Sequence, residues 1–416
     1  MARRFDPQLS SSVRAEQAGF TLVELMVAMT GGLFLSIVVF ALSRDASRFY
    51  QSETRAANAT LAGVTGFERL SNDIARAGHL ISPNITNDPR VCNRPESTWP
   101  VKLFNLRAIT LGTSGKITGT ELAAAGIQPM AIELAGSLDV TEELPINHVG
   151  PNADGAMAVT LRDDTPAFRR LGLKTGVANK EHNKAVLLSL FKPGGTGRAV
   201  RITQLDGMEQ YAIVADVISE SLLQITLRPD PKLQFRTSTA SVQCGFRGFT
   251  TGGTINVINF IRYELRPMIL APGAYASLFD ASGHGAPEYE KGRVELVRFE
   301  LDPEGDEMDN TLEIVSEYAV DLQFSVKQAT SALNPALIEP GPTTITGTYG
   351  FTQWLRGVHV RFSVRSREAD RQADVTGMPA GDLYRIGLGA SAGAPFARVR
   401  TFQADVPLRN LEGANW

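Results

Sequence analysis

This chain of 416 residues has almost no excess of positive or negative charge, and it has few cysteines. Its 41 lysines and arginines nearly balance 44 aspartates and glutamates, for a formal net charge of −3. Because the two signs are well mixed along the chain, there is no electrostatic attraction for nucleic acid, and we predict no nucleic-acid partner. The chain is too long for one small core, so we expect one large domain or two subdomains.

The motifs of common catalytic, metal and phosphate sites are also missing. The five histidines show no HExxH or other paired spacing, and the glycine-rich run 193–197 lacks the Gly-Lys-Ser/Thr end of a phosphate loop. Residues 389–393 spell Gly-x-Ser-x-Gly, but Pro395 follows at once and no histidine comes later, as a nucleophile elbow would need. The acidic turn 302–309 does not follow the EF-hand ligand order. We therefore predict no catalytic residue, no metal, no cofactor and no enzymatic activity.

Cysteine occurs only twice, at Cys92 and Cys244. A disulfide between them is permitted if the protein is exported to an oxidising compartment. Closing so long a loop would stabilise the fold by roughly 4–5 kcal/mol in the chain-entropy model. Each cysteine lies beside turn-like sequence, which favours the disulfide; the alternative is two buried free thiols that never meet.

Proline is absent from Phe20 to Ala77, and charge is nearly absent from the first part of that range. Between Phe20 and Ser43 the one charged residue is Glu24, in a stretch long enough to cross a bilayer. An ionised carboxylate there costs about 2.5–3.5 kcal/mol on insertion scales, so we expect a partner for it. The nearest candidate is an amino terminus created by cleavage before Phe20. The alternative is a plain signal-anchor helix in which Glu24 has no role.

Residues 18–24, Ala-Gly-Phe-Thr-Leu-Val-Glu, resemble the prepilin signal of type IV pilins and type II secretion pseudopilins. The resemblance implies that prepilin peptidase removes a leader, residues 1–19, by cutting between Gly19 and Phe20. It also implies N-methylation of Phe20, and pairing of Glu24 with the amine of its own Phe20 or that of an adjacent subunit. The leader is polar and contains three arginines, which favours a cytoplasmic leader and a periplasmic head.

A long helix is predicted from Phe20 to Gly78. Residues 20–43 form its transmembrane and assembly segment, and residues 44–78 form an amphipathic continuation, with one apolar stripe at Leu61, Val64, Phe67, Leu70, Ile74 and Ala77. Gly78 is well placed as a C-cap, and Pro83 prevents continuation. Gly31-Gly32 and Gly63/Gly66 are expected to be flexible points. The alternative is a separate surface helix after a break near Ser43.

The remainder of the chain predicts antiparallel strands. Residues 358–365 and 320–326 alternate apolar and polar side chains with a period of two. Residues 294–301 and 311–318 flank the turn 302–306 and indicate a hairpin. We therefore predict an α+β fold in which the long helix packs on antiparallel sheet, with an enlarged pilin-like head. We divide the head into β-rich subdomains at 79–246 and 247–416.

Three further segments resemble PilW-type minor pilins, namely residues 70–79 at the helix end and the strands 357–366 and 402–410. The resemblance implies a minor pilin of a type IV pilus, placed in the priming complex or at the tip. Implied partners are prepilin peptidase, other major and minor pilins, the inner membrane and the pilus assembly machinery. The implied location is the inner membrane as a single-pass protein, then the pilus at the cell surface. The alternatives are a type II secretion pseudopilin and a membrane-anchored periplasmic binding protein.

Overall fold

The computed structural model describes residues 21–115, 117, 121–140, 142–219, 222–236, 244–247, 252–267, 293–329, 337–338, 352–367, 385–387 and 396–413. The leader 1–19, the residues Gly19 and Phe20 at the expected cleavage site, and the run 389–393 lie outside this part. The chain divides into two compact units, Met1–Thr54 and Arg55–Trp416.

Helices and strands alternate irregularly along the chain. The α-helices are α1 (Leu22–Arg76), α2 (Val101–Phe104), α3 (Glu121–Ala124), α4 (Pro166–Arg170) and α5 (Lys180–Phe191). The first strands are β1 (Ile109–Thr113), β2 (Met130–Gly136), β3 (Leu144–Pro151), β4 (Met157–Leu161), β5 (Ala199–Thr203), β6 (Glu209–Ser219), β7 (Leu223–Leu227), β8 (Phe235–Arg236) and β9 (Phe246–Arg247). The later strands are β10 (Thr254–Arg266), β11 (Glu295–Leu301), β12 (Glu313–Ser316), β13 (Ala319–Ala329), β14 (Leu337–Ile338), β15 (Leu355–Arg365), β16 (Arg385–Gly387) and β17 (Phe396–Pro407).

Helix α1 is continuous for 55 residues, which confirms the predicted long helix and excludes a break near Ser43. In the first unit its apolar side chains are exposed. The range Leu22–Gln51 has a mean hydropathy of 2.4 over its most apolar window, none of which is buried. By length and composition this is one helix able to cross a membrane.

The part of α1 in the second unit buries one stripe. Leu70, Ile74 and Ala77 are fully buried, and Phe67 packs against the same core. The predicted stripe begins too early, because Leu61 is 69% exposed. Periodicity alone places Leu61 on the stripe, whereas burial also requires a neighbouring element at that level of the helix.

Strand β10 is shared by two parts of a large antiparallel sheet. Its C-terminal half pairs with β2 on one side and β11 on the other, which gives the order β1-β2-β10-β11-β12. Its N-terminal half pairs with both β3 and β5. Through the neighbours β3-β4-β7-β6-β5 the sheet returns to β10 and closes into a six-stranded barrel. Apolar side chains of the barrel strands and of α5 form a separate core cluster.

A second antiparallel sheet has the order β14-β13-β15-β17-β16. Strands β13 and β15 confirm the two alternating segments, and β11 pairs with β12 as the predicted hairpin. The apolar residues of this sheet, of the β1-β2-β10-β11 region and of α1 form one core cluster. The predicted α+β fold, a long helix with an enlarged antiparallel head, is therefore confirmed. The division at residue 246 stays a prediction; β10, which follows it, hydrogen-bonds to strands that precede it.

The glycines of α1 in the second unit are points of close approach to the sheets, so the expected flexibility is wrong for this unit. A β-carbon on Gly63 would overlap the ring of Phe402 and lie 2.8 Å from Val364 Cγ2. A β-carbon on Gly66 would lie 2.8 Å from Ser316 Cβ. Small residues here let the helix backbone reach both sheets.

Replacing Gly63 by valine should destabilise the head by about 2 kcal/mol or more, since the added side chain must displace the Phe402 ring from a packed site. Urea unfolding of the full-length protein in detergent micelles, followed by tryptophan fluorescence, measures the change. The control is Ala62→Val, which introduces the same side chain at the exposed neighbouring position. Equal stabilities of the two variants would contradict the close approach.

Candidate membrane and assembly helix

The start of α1 is closed by a reciprocal capping arrangement between Thr21 and Glu24. The Glu24 carboxylate accepts hydrogen bonds from the Thr21 backbone amide at 3.0 Å and from the Thr21 hydroxyl at 2.9 Å. The Thr21 hydroxyl oxygen in turn accepts from the Glu24 amide at 3.2 Å. This geometry is a capping box, which satisfies amide groups that a helix start leaves without partners. It also turns the Glu24 carboxylate back toward Thr21 and away from the middle of the apolar segment.

The apolar residues of the first unit are exposed on all sides of the helix. Leu22 is 75% exposed, and even Val38 is 41% exposed. Soluble proteins rarely leave a continuous apolar surface of this size in water. The segment therefore has the surface of a helix whose neighbours are lipid or other apolar helices.

The end of α1, in the second unit, is capped by the last part of the chain. Gly78 adopts a φ of +78°, which favours glycine, and its amide donates to the Ala135 carbonyl at 2.9 Å. The Asn410 side-chain amide donates to the carbonyls of Ala75 and Arg76 at 3.4 and 3.2 Å, and to that of Ala77 at 3.2 Å. The segments 70–79 and 402–410, whose sequences both resemble PilW-type minor pilins, therefore meet at this helix end.

A buried carboxylate fixes α1 to the sheet. Asp73 is 3% exposed and accepts hydrogen bonds from the Tyr263 hydroxyl at 2.7 Å and from Arg298 Nε at 2.9 Å. Burial together with Asp73 raises the pKa of Tyr263, so its hydroxyl stays protonated and donates. Burial alone would lower the pKa of Arg298, but the neighbouring acidic groups, Tyr263 and Asp73 among them, raise it, so the guanidinium stays charged.

The sequence reasoning did not identify Asp73 as a partner of Tyr263 and Arg298. A signal was present: Asp73 directly precedes the apolar stripe position Ile74, and Arg298 interrupts an apolar strand. A charge at such a position indicates a buried ion pair. Which strand residue would meet Asp73 depends on tertiary packing, which one sequence does not contain.

Cys92 and Cys244 form a disulfide in the structure, with a Cα–Cα distance of 5.2 Å. The Cys92 amide donates to the Glu209 carbonyl at 2.9 Å, at the start of β6. The disulfide joins the segment after α1 to the segment around β9, and the hydrogen bond to Glu209 holds the segment after α1 against the barrel.

The other sequence candidates have structural roles where they are described. In the acidic turn, the Asp302 carboxylate accepts from the amides of Gly305 and Asp306, both at 2.8 Å. Glu304 pairs with Arg228, and Glu307 pairs with Arg266. His359 contacts Asp405 at 2.9 Å on the exposed side of β15. Within the described ranges, no group of three His, Cys, Asp or Glu side chains is placed to hold a metal ion.

Comparison with known proteins finds a match for the N-terminal signal. Residues 14–30 match the model of the prokaryotic N-terminal methylation motif. No curated protein and no solved structure matches the chain. The matched range contains the expected cleavage site and Glu24. With the apolar helix that follows, it supports a membrane-anchored substrate of prepilin peptidase, of the pilin-like or pseudopilin kind, a class of structural proteins rather than enzymes.

Replacing Asp73 by asparagine should lower the free energy of unfolding by about 2–3 kcal/mol, because Arg298 then remains buried without its closest carboxylate. Urea unfolding of the full-length protein measures the loss. The control is Asn72→Ala at the exposed neighbouring position, which should change stability by less than about 0.5 kcal/mol. A neutral effect of Asp73→Asn would show that Arg298 is satisfied without it.

Proposed function

We propose that this protein is a minor pilin of a type IV pilus, of the PilW type. In this proposal prepilin peptidase removes residues 1–19 by cutting between Gly19 and Phe20, and Phe20 is then N-methylated. Residues 20–43 anchor the protein in the inner membrane and afterwards pack among the helices of the fibre. Residues 44–78 continue the helix into the head, which comprises the subdomains 79–246 and 247–416.

The methylation motif at residues 14–30 is the observation on which the proposal rests. The geometry at the start of α1 supports it. Cleavage before Phe20 would create a cationic amine one residue before Thr21, whose amide already contacts the Glu24 carboxylate at 3.0 Å. An α-amine has a reference pKa of about 7.7–8.0 and is mostly protonated at neutral pH.

Glu24 then has two possible partners, its own amine and that of the adjacent subunit. Pairing with the adjacent subunit defines register, because a new subunit is accommodated only at the axial offset that brings the two charges together. In apolar surroundings an unpaired carboxylate is costly, so the wrong offset is disfavoured. The charge pair thereby converts non-specific packing of apolar helices into a defined step along the fibre.

The size of the head supports a minor rather than a major subunit. The second unit comprises Arg55–Trp416 and includes a closed barrel in addition to the sheets that contact α1. A head of this size fits poorly into a repeating shaft, which favours a position in the priming complex or at the tip. The partners are then prepilin peptidase, the inner membrane, the assembly machinery and the other major and minor pilins. The head is periplasmic before assembly and at the cell surface afterwards.

A type II secretion pseudopilin is the second candidate, because the same motif supports it. The two differ in the fibre that contains the chain. Recovery of the protein from sheared surface pili favours the pilin, and recovery only from a short periplasmic fibre beside a secretion system favours the pseudopilin.

Mass spectrometry of the N-terminal peptide, on protein purified from native membranes, should find a terminus at N-methylated Phe20. The control is the same chain from cells that lack prepilin peptidase, which should retain residues 1–19. A terminus at Met1 or Ala2 in cells with active peptidase would contradict the proposal.

Replacing Glu24 by glutamine should leave cleavage at Gly19–Phe20 intact and reduce incorporation into the fibre at least about tenfold, since a pair worth 1.4 kcal/mol or more is lost. Glutamine keeps the size of the side chain and removes only its charge. Immunoblots of sheared fibres and of membranes, compared with peptide mass spectrometry, separate the two steps.

The control for this experiment is Ser36→Ala, because Ser36 is polar, lies in the same apolar segment and donates to the Gly32 carbonyl of its own helix. This variant should be incorporated normally. Normal incorporation of Glu24→Gln would exclude the charge-pair mechanism while leaving the assignment as a peptidase substrate intact.

A further inference from the structure

A small pocket on the head has the residues expected of a binding site. It lies between the segment after α1, the end of α2 and the short helix before β15, and its volume is about 200 Å³. Amide, hydroxyl, guanidinium and aromatic side chains line it, including Asn84, Thr86, Asn87, Phe104, Asn105 and Arg107. Among the described lining residues Arg107 carries a charge, and none is a carboxylate.

Arg107 is the distinctive residue of this pocket. Its side chain is half-buried, and no hydrogen bond or ion pair from its guanidinium is found within the described ranges. Arginine presents a planar fork of donors that matches a carboxylate. A guanidinium that is partly withdrawn from water and has no protein partner is therefore suited to an anionic ligand.

The pocket is held in shape by buried hydrogen bonds. The Thr352 hydroxyl donates to the Pro83 carbonyl at 2.6 Å, and the Asn84 amide donates to Gln353 Oε1 at 3.0 Å. The backbones of Asn84 and Arg107 form an antiparallel bridge. Arg94 donates to the Thr86 carbonyl at 2.8 Å, which adds a second positive charge beside the pocket. The walls are thus formed before any ligand arrives.

Phe104 lines the same pocket and is 39% exposed. An exposed ring beside hydrogen-bonding groups matches the two kinds of group on a sugar. The C–H groups of a sugar pack on an aromatic ring, and its hydroxyls form hydrogen bonds to amides. The volume is below the roughly 300–1,000 Å³ of pockets for drug-sized ligands, which agrees with a single sugar ring. An extended peptide would instead need a groove with successive side-chain pockets.

We propose that this pocket binds a carboxylated sugar, with its carboxylate on Arg107 and its ring against Phe104. A larger cavity of about 450 Å³ at one end of the barrel is a weaker candidate. Its arginine, Arg162, already pairs with Asp164 at 2.9 and 3.1 Å, and its described lining includes no aromatic residue. The sugar site goes beyond the pilin assignment and does not depend on cleavage or assembly.

The test is titration of the full-length protein in detergent micelles with glucuronate, glucose and acetate, observed by saturation-transfer NMR on the ligand. Glucuronate should bind with a dissociation constant in the millimolar range. Glucose, which lacks the carboxylate, and acetate, which lacks the ring, should each bind at least about tenfold more weakly. Acetate binding as tight as that of glucuronate would show a general anion site and overturn the sugar assignment.

Two variants locate the site. Arg107→Met should weaken glucuronate binding at least about tenfold through loss of the charge-assisted hydrogen bonds. Phe104→Ala should also weaken it, and should affect glucuronate more than acetate. The control is Arg162→Met, which removes the same charge from the larger cavity and should leave binding unchanged.

Circular dichroism verifies that each variant is folded before the comparison is made. Binding of glucuronate that survives Arg107→Met, or that is lost in Arg162→Met, would overturn the assignment to this pocket. Absence of glucuronate binding to the unmodified protein would overturn the proposal altogether.

Discussion

Burial of one side of α1 determines how the head is arranged. Leu70, Ile74 and Ala77 are fully buried, and their core cluster includes residues of both antiparallel sheets. Burying each large apolar side chain contributes about 1.5–3 kcal/mol, more than an isolated helix of this segment gains from its own propensity. The two sheets approach the helix where Gly63 and Gly66 leave room for Phe402 and Ser316. Both sheets therefore pack against the same helix.

Two carboxylates of α1 show opposite solutions to the same electrostatic problem. Asp73 is buried, and the head supplies Tyr263 and Arg298 as its partners. Glu24 lies in the apolar segment, and in the described part of the chain its hydrogen bonds are with Thr21. The hydrogen bonds from Thr21 cap the helix but leave the charge of Glu24 without an opposite charge. That difference is why we propose an assembly role for Glu24 and expect Asp73 to contribute to stability.

Local pattern was sufficient to predict much of the fold. A period of two identified β13 and β15, a proline-glycine turn identified the β11–β12 hairpin, and the absence of proline identified α1. The same reasoning failed where the answer depends on distant contacts. Leu61 fits the stripe by spacing but is 69% exposed, and the sequence does not show that Phe402 packs against Gly63. The motif 18–24 could be recognised in the sequence. The partners of Asp73 and the surroundings of Arg107 could not, because they depend on residues that are distant in the chain.

Closure of the barrel was not predictable from the sequence, and it explains the size of the head. Strands β2 and β10 are neighbours in the sheet, yet the chain forms β3 to β7 between them before it returns. The barrel closes because the N-terminal half of β10 pairs with both β3 and β5, while its C-terminal half pairs with β2 and β11 outside the barrel. The barrel strands β3 to β7 thus lie in the chain between two strands that are neighbours in the sheet, and they enlarge the head. In the proposed minor pilin, this arrangement retains the helix that a fibre requires and adds bulk that favours a position outside a repeating shaft.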